Sequence, residues 1–336
     1  MVDEGEVLGF GYVRAGSPRS ACDRLLLVGD GSLDEPPARL VPDNAESVRV
    51  LAAAPMDRIP DERVHRAVEL DSGLPAMVTE TLAQPGSPWC EVAGPLIEQV
   101  RASRHLVWLA GGFARDVLGG AAADVNDLDL AGTMPPGRFT ELTKRIRRRA
   151  GLEFRPKVSP NTLVCSAEPP SGGDRLYEYR TLKLAGLRFP ASGSDLDTDA
   201  CCRDFTVNSL YYDPVDDIVI DPTGRGWEDL NARPRRLTSR NQSEDLADWA
   251  HVVMRAVKFA ARWAGTIGIN VDELRVQLAA LPADLRAKLS RSAWERLVRK
   301  HGETFEDVGM EQQLEVAETL GPVAVELFKQ MLAVRS

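Results

Sequence analysis

A chain of 336 residues buries a sizeable core and is expected to form two or three domains. Its 43% hydrophobic and 27% charged residues are ordinary for a globular protein, and the absence of an 18-residue apolar run argues against a membrane span. The net charge of −9 lowers the expectation of a long nucleic-acid footprint, which a basic face usually grips. The acidic first residues do not read as a signal peptide, so the expected location is cytoplasmic. Cys22, Cys90, Cys165, Cys201 and Cys202 lack a disulfide-framework spacing and are expected as reduced thiols. Four scattered histidines give a zinc site no support.

Residues 1–95 read as an α+β appendage without a catalytic constellation. Strands are expected at 24–28 and 47–54, loops over 29–42, and a short helix over 61–69. Residues 85–88 (Pro-Gly-Ser-Pro) look like a linker, followed by a helix over about 92–103. A packing or partner-binding module is the simplest reading of this segment.

The informative stretch begins at Leu106. An apolar run over 106–110 ends at Gly111-Gly112, as a buried strand ending in a tight turn would. Residues 113–118 have helical character, and Gly119-Gly120 stops them. A second strand carries Asp127 and Asp129, with Leu128 between, so both carboxylates are expected on one face. Two like charges side by side repel, and a divalent cation such as Mg²⁺ is the usual reason to keep them. Asp124 is the alternative to Asp127 in this spacing.

Gly111-Gly112-Phe113-Ala114-Arg115-Asp116, followed by Asp127-Leu128-Asp129-Leu130-Ala131, resembles the head of class II tRNA nucleotidyltransferases (CCA-adding enzymes) and bacterial poly(A) polymerases. That family lies within the polymerase-β-like nucleotidyltransferases. The resemblance implies an α+β fold: a nucleotidyltransferase head with a mixed sheet and helices over 96–240, then a helical neck and truncated body over 241–336. It implies transfer of an NMP from an NTP such as ATP to a hydroxyl acceptor, with two Mg²⁺ ions held by Asp127 and Asp129.

Further segments extend the resemblance. A helix over 139–150 carries Lys144, Arg145, Arg147, Arg148 and Arg149, either a solvated face or a phosphate-contacting patch. A strand pair over 163–167 and 175–184 includes Glu178, which the family resemblance makes a third acid beside the aspartates; a surface glutamate is the competing reading. Residues 191–200 read as a polar, mobile loop. Cys202-Arg203-Asp204-Phe205-Thr206-Val207-Asn208 resembles the family's Arg-Arg-Asp-Phe-Thr-x-Asn helix, which implies that Arg203 and Asn208 contact triphosphate and sugar, with one arginine replaced by Cys202. Asp204 is a nucleotide-site residue by the same resemblance, or else a cap or ion-pair partner. Gly111 and Gly112 are expected to bring backbone N–H groups to the phosphates, and Arg115 to brace the triphosphate. Residues 218–230 read as a strand, a tight turn and a helix start.

The neck helix, beginning near Glu244, resembles the family's Leu-Arg-Ala-x-Arg-Phe-Ala-Ala at Met254 to Ala261 and adds Arg255 to the candidate nucleotide site. One turn earlier the family's base-pairing Asp and Arg fall on Trp249 and Val252. Trp249 can stack on a base or sugar but neither residue can make a bidentate base contact. With few residues after Asn270 for a tRNA-gripping body, standard C-C-A addition is not expected. The acceptor is then an RNA 3′ end, or a small molecule or protein, or the head is an inactive nucleotide-binding module.

Overall fold

The computed structural model describes residues 2–3, 6–7, 9–12, 24–27, 56, 59–159, 162–170, 172–183, 195–241 and 243–334. The strand expected over 47–54 and the loops over 29–42 lie outside them. The chain divides into two compact units, Met1–Cys202 with Asn208–Gly224, and Arg203–Val207 with Arg225–Ser336.

In the first unit, the backbone pairs β1 (Val2–Asp3) with β2 (Glu6–Val7), and β3 (Gly9–Tyr12) with β4 (Arg24–Leu27). The main body is an eight-stranded sheet in the order β5-β12-β11-β6-β7-β10-β9-β8. Its strands are β5 (Val64–Arg66), β6 (Val107–Leu109), β7 (Asp129–Gly132), β8 (Arg155–Val158), β9 (Val164–Glu168), β10 (Tyr177–Thr181), β11 (Tyr211–Asp213) and β12 (Ile218–Ile220). Every neighbouring pair is antiparallel except β7 with β10, which makes the sheet mixed.

Residues 64–66, expected within an N-terminal appendage, join this sheet: β5 is its edge strand, paired with β12, and Asp221 N–H donates to the Arg63 carbonyl. The helix expected over 61–69 is a 3₁₀ turn (Asp61–Arg63), β5, and a four-residue helix α1 (Ala67–Leu70). The strand wins because Val64 and His65 gain a pairing partner in the exposed edge of β12. Helices α2 (Leu74–Leu82) and α3 (Ala93–Ala102) follow, and Trp89 between them is buried edge-on against Phe113.

Two layers of side chains cover the sheet. On one face α5 (Pro136–Ala150) lays Phe139 flat on Tyr179, centroids 3.7 Å apart, and edge-on to Tyr177. On the other face α6 (Leu196–Cys201) brings Leu196 and Ala200 to Trp108, Ala131, Tyr211 and Ile220. The second half of the loop expected over 191–200 is therefore a helix: Asp195 caps it by accepting from Thr198 N–H at 2.7 Å, and its apolar side is buried. Asp199, 1% exposed, ties α6 down by accepting from the Lys183 backbone N–H and from the Tyr211 hydroxyl.

The second unit is helical. It contains α7 (Gly226–Asn231), α8 (Leu246–Ala264), α9 (Asp272–Ala279), α10 (Arg291–Thr304), α11 (Met310–Leu320) and α12 (Pro322–Ala333), with a short parallel pair β13 (Arg235–Arg236) and β14 (Ile269–Asn270). α8 is the central helix. It buries Ala250, Val253, Met254, Val257, Phe259 and Ala260, the recurrence that makes one helical face apolar, and packs on α10, α11 and α12.

Candidate nucleotidyl-transfer site

The first unit's candidate site is built at the end of β6, where the chain turns into helix α4 (Gly111–Leu118). The helix, expected from Phe113, begins at the glycines themselves. Gly111 has φ +57°, in the left-handed region that favours glycine, so it makes the strand-to-helix turn without strain. Gly112 N–H then donates to Asp129 Oδ2 at 2.8 Å. A Cβ on Gly112 would lie 2.9 Å from that oxygen, and one on Gly111 3.1 Å. The two glycines thus make room for a carboxylate held against the first turn of a helix, where the N–H groups favour negative charge.

β7 starts at Asp129, so Asp127 sits on a bend just ahead of the strand rather than within it. The alternation nevertheless begins earlier: Leu128 and Leu130 are buried, while Asp127 and Asp129 are half-buried. Asp124 ends a 3₁₀ turn, Ala122–Asp124, and is exposed. In the parallel pair β7–β10, Glu178 stands in register with Asp129, which places the two acids side by side on one face. Glu178 is ion-paired with Arg175 at 2.7 Å and Arg180 at 3.3 Å.

Arg115, expected to brace a triphosphate, has buried protein partners. Its side chain is buried, and its guanidinium makes a two-bond fork with Asp116, at 2.9 and 2.8 Å. Its Nη1 donates to Asn208 Oδ1 at 2.9 Å. All three residues are at most 6% exposed, so Arg115 orients Asn208 while Asp116 neutralises it. The only sign of Asp116 in the sequence is an Arg-Asp dipeptide flanked by apolar residues on a short helix.

The helix expected at 202–208 is a bend followed by a 3₁₀ turn, Thr206–Asn208. The chain is pulled out of helical form by a bridge from Phe205 to Ser239 and by Thr206 N–H donating to the Thr238 carbonyl. Thr206 Oγ1 donates to Asp229 Oδ2 at 2.7 Å, and Asp229, fully buried, also faces Arg236 Nε at 3.0 Å. Asp204 is an ion-pair partner: Arg255 Nε donates to its carboxylate, and Asp204 also accepts from Phe205 N–H. Arg255 in turn lies over the Phe259 ring. Arg203 is half-buried.

Trp249 is half-buried on α8, its indole N–H donating to the Ser243 carbonyl at 3.0 Å. Val252 is 4% exposed and belongs to the helical core. Asp245 caps α8 by accepting from Ala247 N–H. The positions where a base-reading Asp and Arg are expected thus carry a pinned ring and a core aliphatic.

The donor set near the glycine turn suits a hard cation. Asp127 and Asp129 supply carboxylate oxygens on an incompletely covered face, which matches Mg²⁺ taking one or two protein carboxylates and completing its shell from phosphates and water. Among the described residues no group of three His, Cys, Asp or Glu side chains is arranged as an all-protein cage. Glu178, engaged by two arginines, adjoins that pair through Asp129.

Residues 107–236 match the family model described as the poly(A) polymerase head domain. Poly(A) polymerase I of Escherichia coli O157:H7 is 30% identical over 201 residues, covering 58% of this chain and 42% of that protein. The multifunctional CCA protein of Xylella fastidiosa strain 9a5c is 28% identical over 196 residues, covering 57% and 44%. The chain spans less than half the length of these curated relatives. Among solved structures, a CCA-adding enzyme in apo form II superposes with a TM-score of 0.55 at 19% identity, covering 74% of this chain and 56% of that one. A CCA-adding enzyme in complex with ATP gives 0.54 at 20%, covering 74% and 53%. At these identities the superpositions speak for the fold. Over residues 107–236 this chain is thus similar to the poly(A) polymerase head domain, and its curated relatives are poly(A) polymerases and CCA proteins of low identity.

Proposed function

We propose that the protein transfers a nucleotide from a nucleoside triphosphate to the 3′ hydroxyl of an RNA, releasing pyrophosphate. The observation that carries this reading is the Asp129 carboxylate held over the Gly111-Gly112 turn with Glu178 in register beside it. Asp127 and Asp129 would hold the divalent cation, which when bound supplies charge neutralisation for the phosphates and acidifies the attacking hydroxyl. The chain's own contribution is positioning. The glycine turn fixes Asp129, the Asp116–Arg115 pair fixes the Asn208 amide for a sugar or phosphate contact, and Glu178 adds an acid that can accept the proton of the attacking hydroxyl. The family resemblance gives Arg203 a grip on the triphosphate, which Arg203→Ala tests through the KM for the nucleotide.

A second acceptor class has its own support. Trp249 and Val252 stand where a base-reading pair is expected, and the net charge is −9, which favours addition of one nucleotide to a small molecule or protein. An inactive nucleotide-binding module fits less well, because both Asp127 and Asp129 are retained.

The test is a product assay. The protein is incubated with each labelled triphosphate and Mg²⁺, and offered either single-stranded RNA and end-trimmed tRNA or a metabolite extract. A labelled RNA product supports the proposal. A low-molecular-weight product with inert RNA replaces it with the second reading.

A further inference from the structure

The sheet face that carries Asp129 continues outward over β10, β9 and β8. Its register is unbroken: Asp129 stands beside Glu178, Glu178 opposite Ser166, and Ser166 opposite Lys157. One pair further along, Glu168 stands opposite Arg155. Residues paired across strands share a face, so these side chains lie on the side away from α5, while Tyr177, Tyr179, Cys165 and Ala167 are buried on the α5 side.

That outer face is cationic, against the trend of an acidic chain. Glu178 is paired with Arg175 and Arg180. Glu168 is paired with Lys157 and stands opposite Arg155. Each glutamate therefore sits among two cations, which it orders without neutralising, and each cluster keeps a surplus positive charge. Arg155, Lys157 and Arg175 are exposed. From Asp129 to β8 is three strand spacings, about 14 Å, the reach of a few nucleotides of single strand.

We propose that this face of β8–β10 is the track along which the single-stranded RNA acceptor lies, its phosphates against the Arg175/Arg180 and Arg155/Lys157 clusters and its 3′ end at Asp129. The inference rests on the RNA reading of the acceptor given above. Cations ordered in a line leading from the acids suit a backbone that carries one charge per nucleotide, and a small-molecule acceptor would need none beyond the first cluster. The competing explanation for Arg155 and Lys157 is that charges on edge strand β8 keep it from pairing with another chain.

The experiment uses the full chain, a labelled single-stranded oligoadenylate and a KCl series, comparing wild type with the double substitution Arg155→Gln/Lys157→Gln and the charge-conserving Arg155→Lys/Lys157→Arg. RNA affinity is read by fluorescence anisotropy, and the KM for ATP by pyrophosphate release. Each phosphate contact on a single strand contributes about 0.7 to the slope of log affinity against log salt, so the Gln pair is expected to flatten it by roughly 1.4. The charge-conserving pair is expected to keep the wild-type slope, and both pairs the wild-type KM for ATP. An unchanged slope in the Gln pair overturns the track, whether or not light scattering shows the aggregation that loss of an edge guard would bring. Should β8 tolerate neither double substitution, Arg175→Gln, outside the edge strand, is expected to flatten the slope by roughly 0.7, and no change overturns the track. Wild-type protein that transfers nucleotide only to small molecules overturns the RNA reading, and the track with it. Transfer to RNA with an unaltered slope overturns the track alone.

Discussion

Gly112→Ala separates the steric account of the glycine turn from a merely conformational one. The added Cβ would stand 2.9 Å from Asp129 Oδ2, the oxygen that accepts the Gly112 N–H at 2.8 Å. Both constraints come from one residue, so the carboxylate cannot clear the methyl and keep its hydrogen bond without moving. A hydrogen bond to a charged acceptor is worth about 1.5–3 kcal/mol, and overpacking typically costs about 1–3 kcal/mol. Asp129 is half-buried and can turn toward solvent, so the lower ends apply, a loss of about 1–2 kcal/mol. Helix propensity opposes this, since alanine is favoured over glycine by up to about 1 kcal/mol in a helix interior and less at its first turn. Steric displacement is therefore expected to win narrowly in stability and decisively in rate, because a shift of about 1 Å in a reacting group costs on the order of 100-fold. Urea melts and initial rates of pyrophosphate release measure the two effects. A Gly112→Ala protein more stable than wild type and turning over at the wild-type rate would refute the reasoning.

Other substitutions probe the rest of the frame. In Gly132→Ala the new Cβ would be 2.6 Å from the Leu106 carbonyl oxygen and 2.9 Å from the Tyr179 hydroxyl. Backbone cannot give way, so a loss of about 3 kcal/mol is expected in urea melts, and wild-type stability would contradict the packing. Arg115→Met leaves the buried Asp116 carboxylate without its fork. A loss of about 3 kcal/mol is expected, with a raised KM for ATP as Asn208 loses its anchor; an unchanged KM would remove Asn208 from the nucleotide site. Burial, together with Lys300, Arg296 and Arg255 and against the pull of Asp248, holds His251 below its ordinary 6.5. Protonation then favours the unfolded chain, so stability tied to neutral His251 is present above about pH 6.5 and is lost as the pH falls through the lowered folded value. The Tm of wild type should fall more steeply between about pH 7 and pH 5 than that of His251→Gln, and parallel curves would contradict this.

Local patterns carried much of the fold into the sequence. The apolar run ahead of Gly111, the alternation around Asp129 and the apolar face of α8 each encode an element through its own neighbours. What escaped depends on distant partners. Nothing near Val64 announces a strand, because the reason for it is the unpaired edge of β12, more than 150 residues away. α6 was hidden in a polar, acidic stretch whose Leu196 and Ala200 gain meaning only against Trp108 and Tyr211. The candidate site follows the same rule. The closeness of Gly112, Asp129 and Glu178 follows from turn and strand spacing, whereas the fork that Asp116 and Asn208 close around the Arg115 guanidinium joins residues 93 positions apart.

The most direct test of the account is nucleotide transfer by Asp129→Ala. With ATP, Mg²⁺ and a labelled RNA acceptor, wild type should extend the RNA and release pyrophosphate. The variant should keep a cooperative melt yet transfer nothing above background, because the proposal gives the carboxylate over the glycine turn the task of holding the cation. Turnover by a folded Asp129→Ala protein at the wild-type rate would contradict the assignment of this face of the sheet as the site of chemistry.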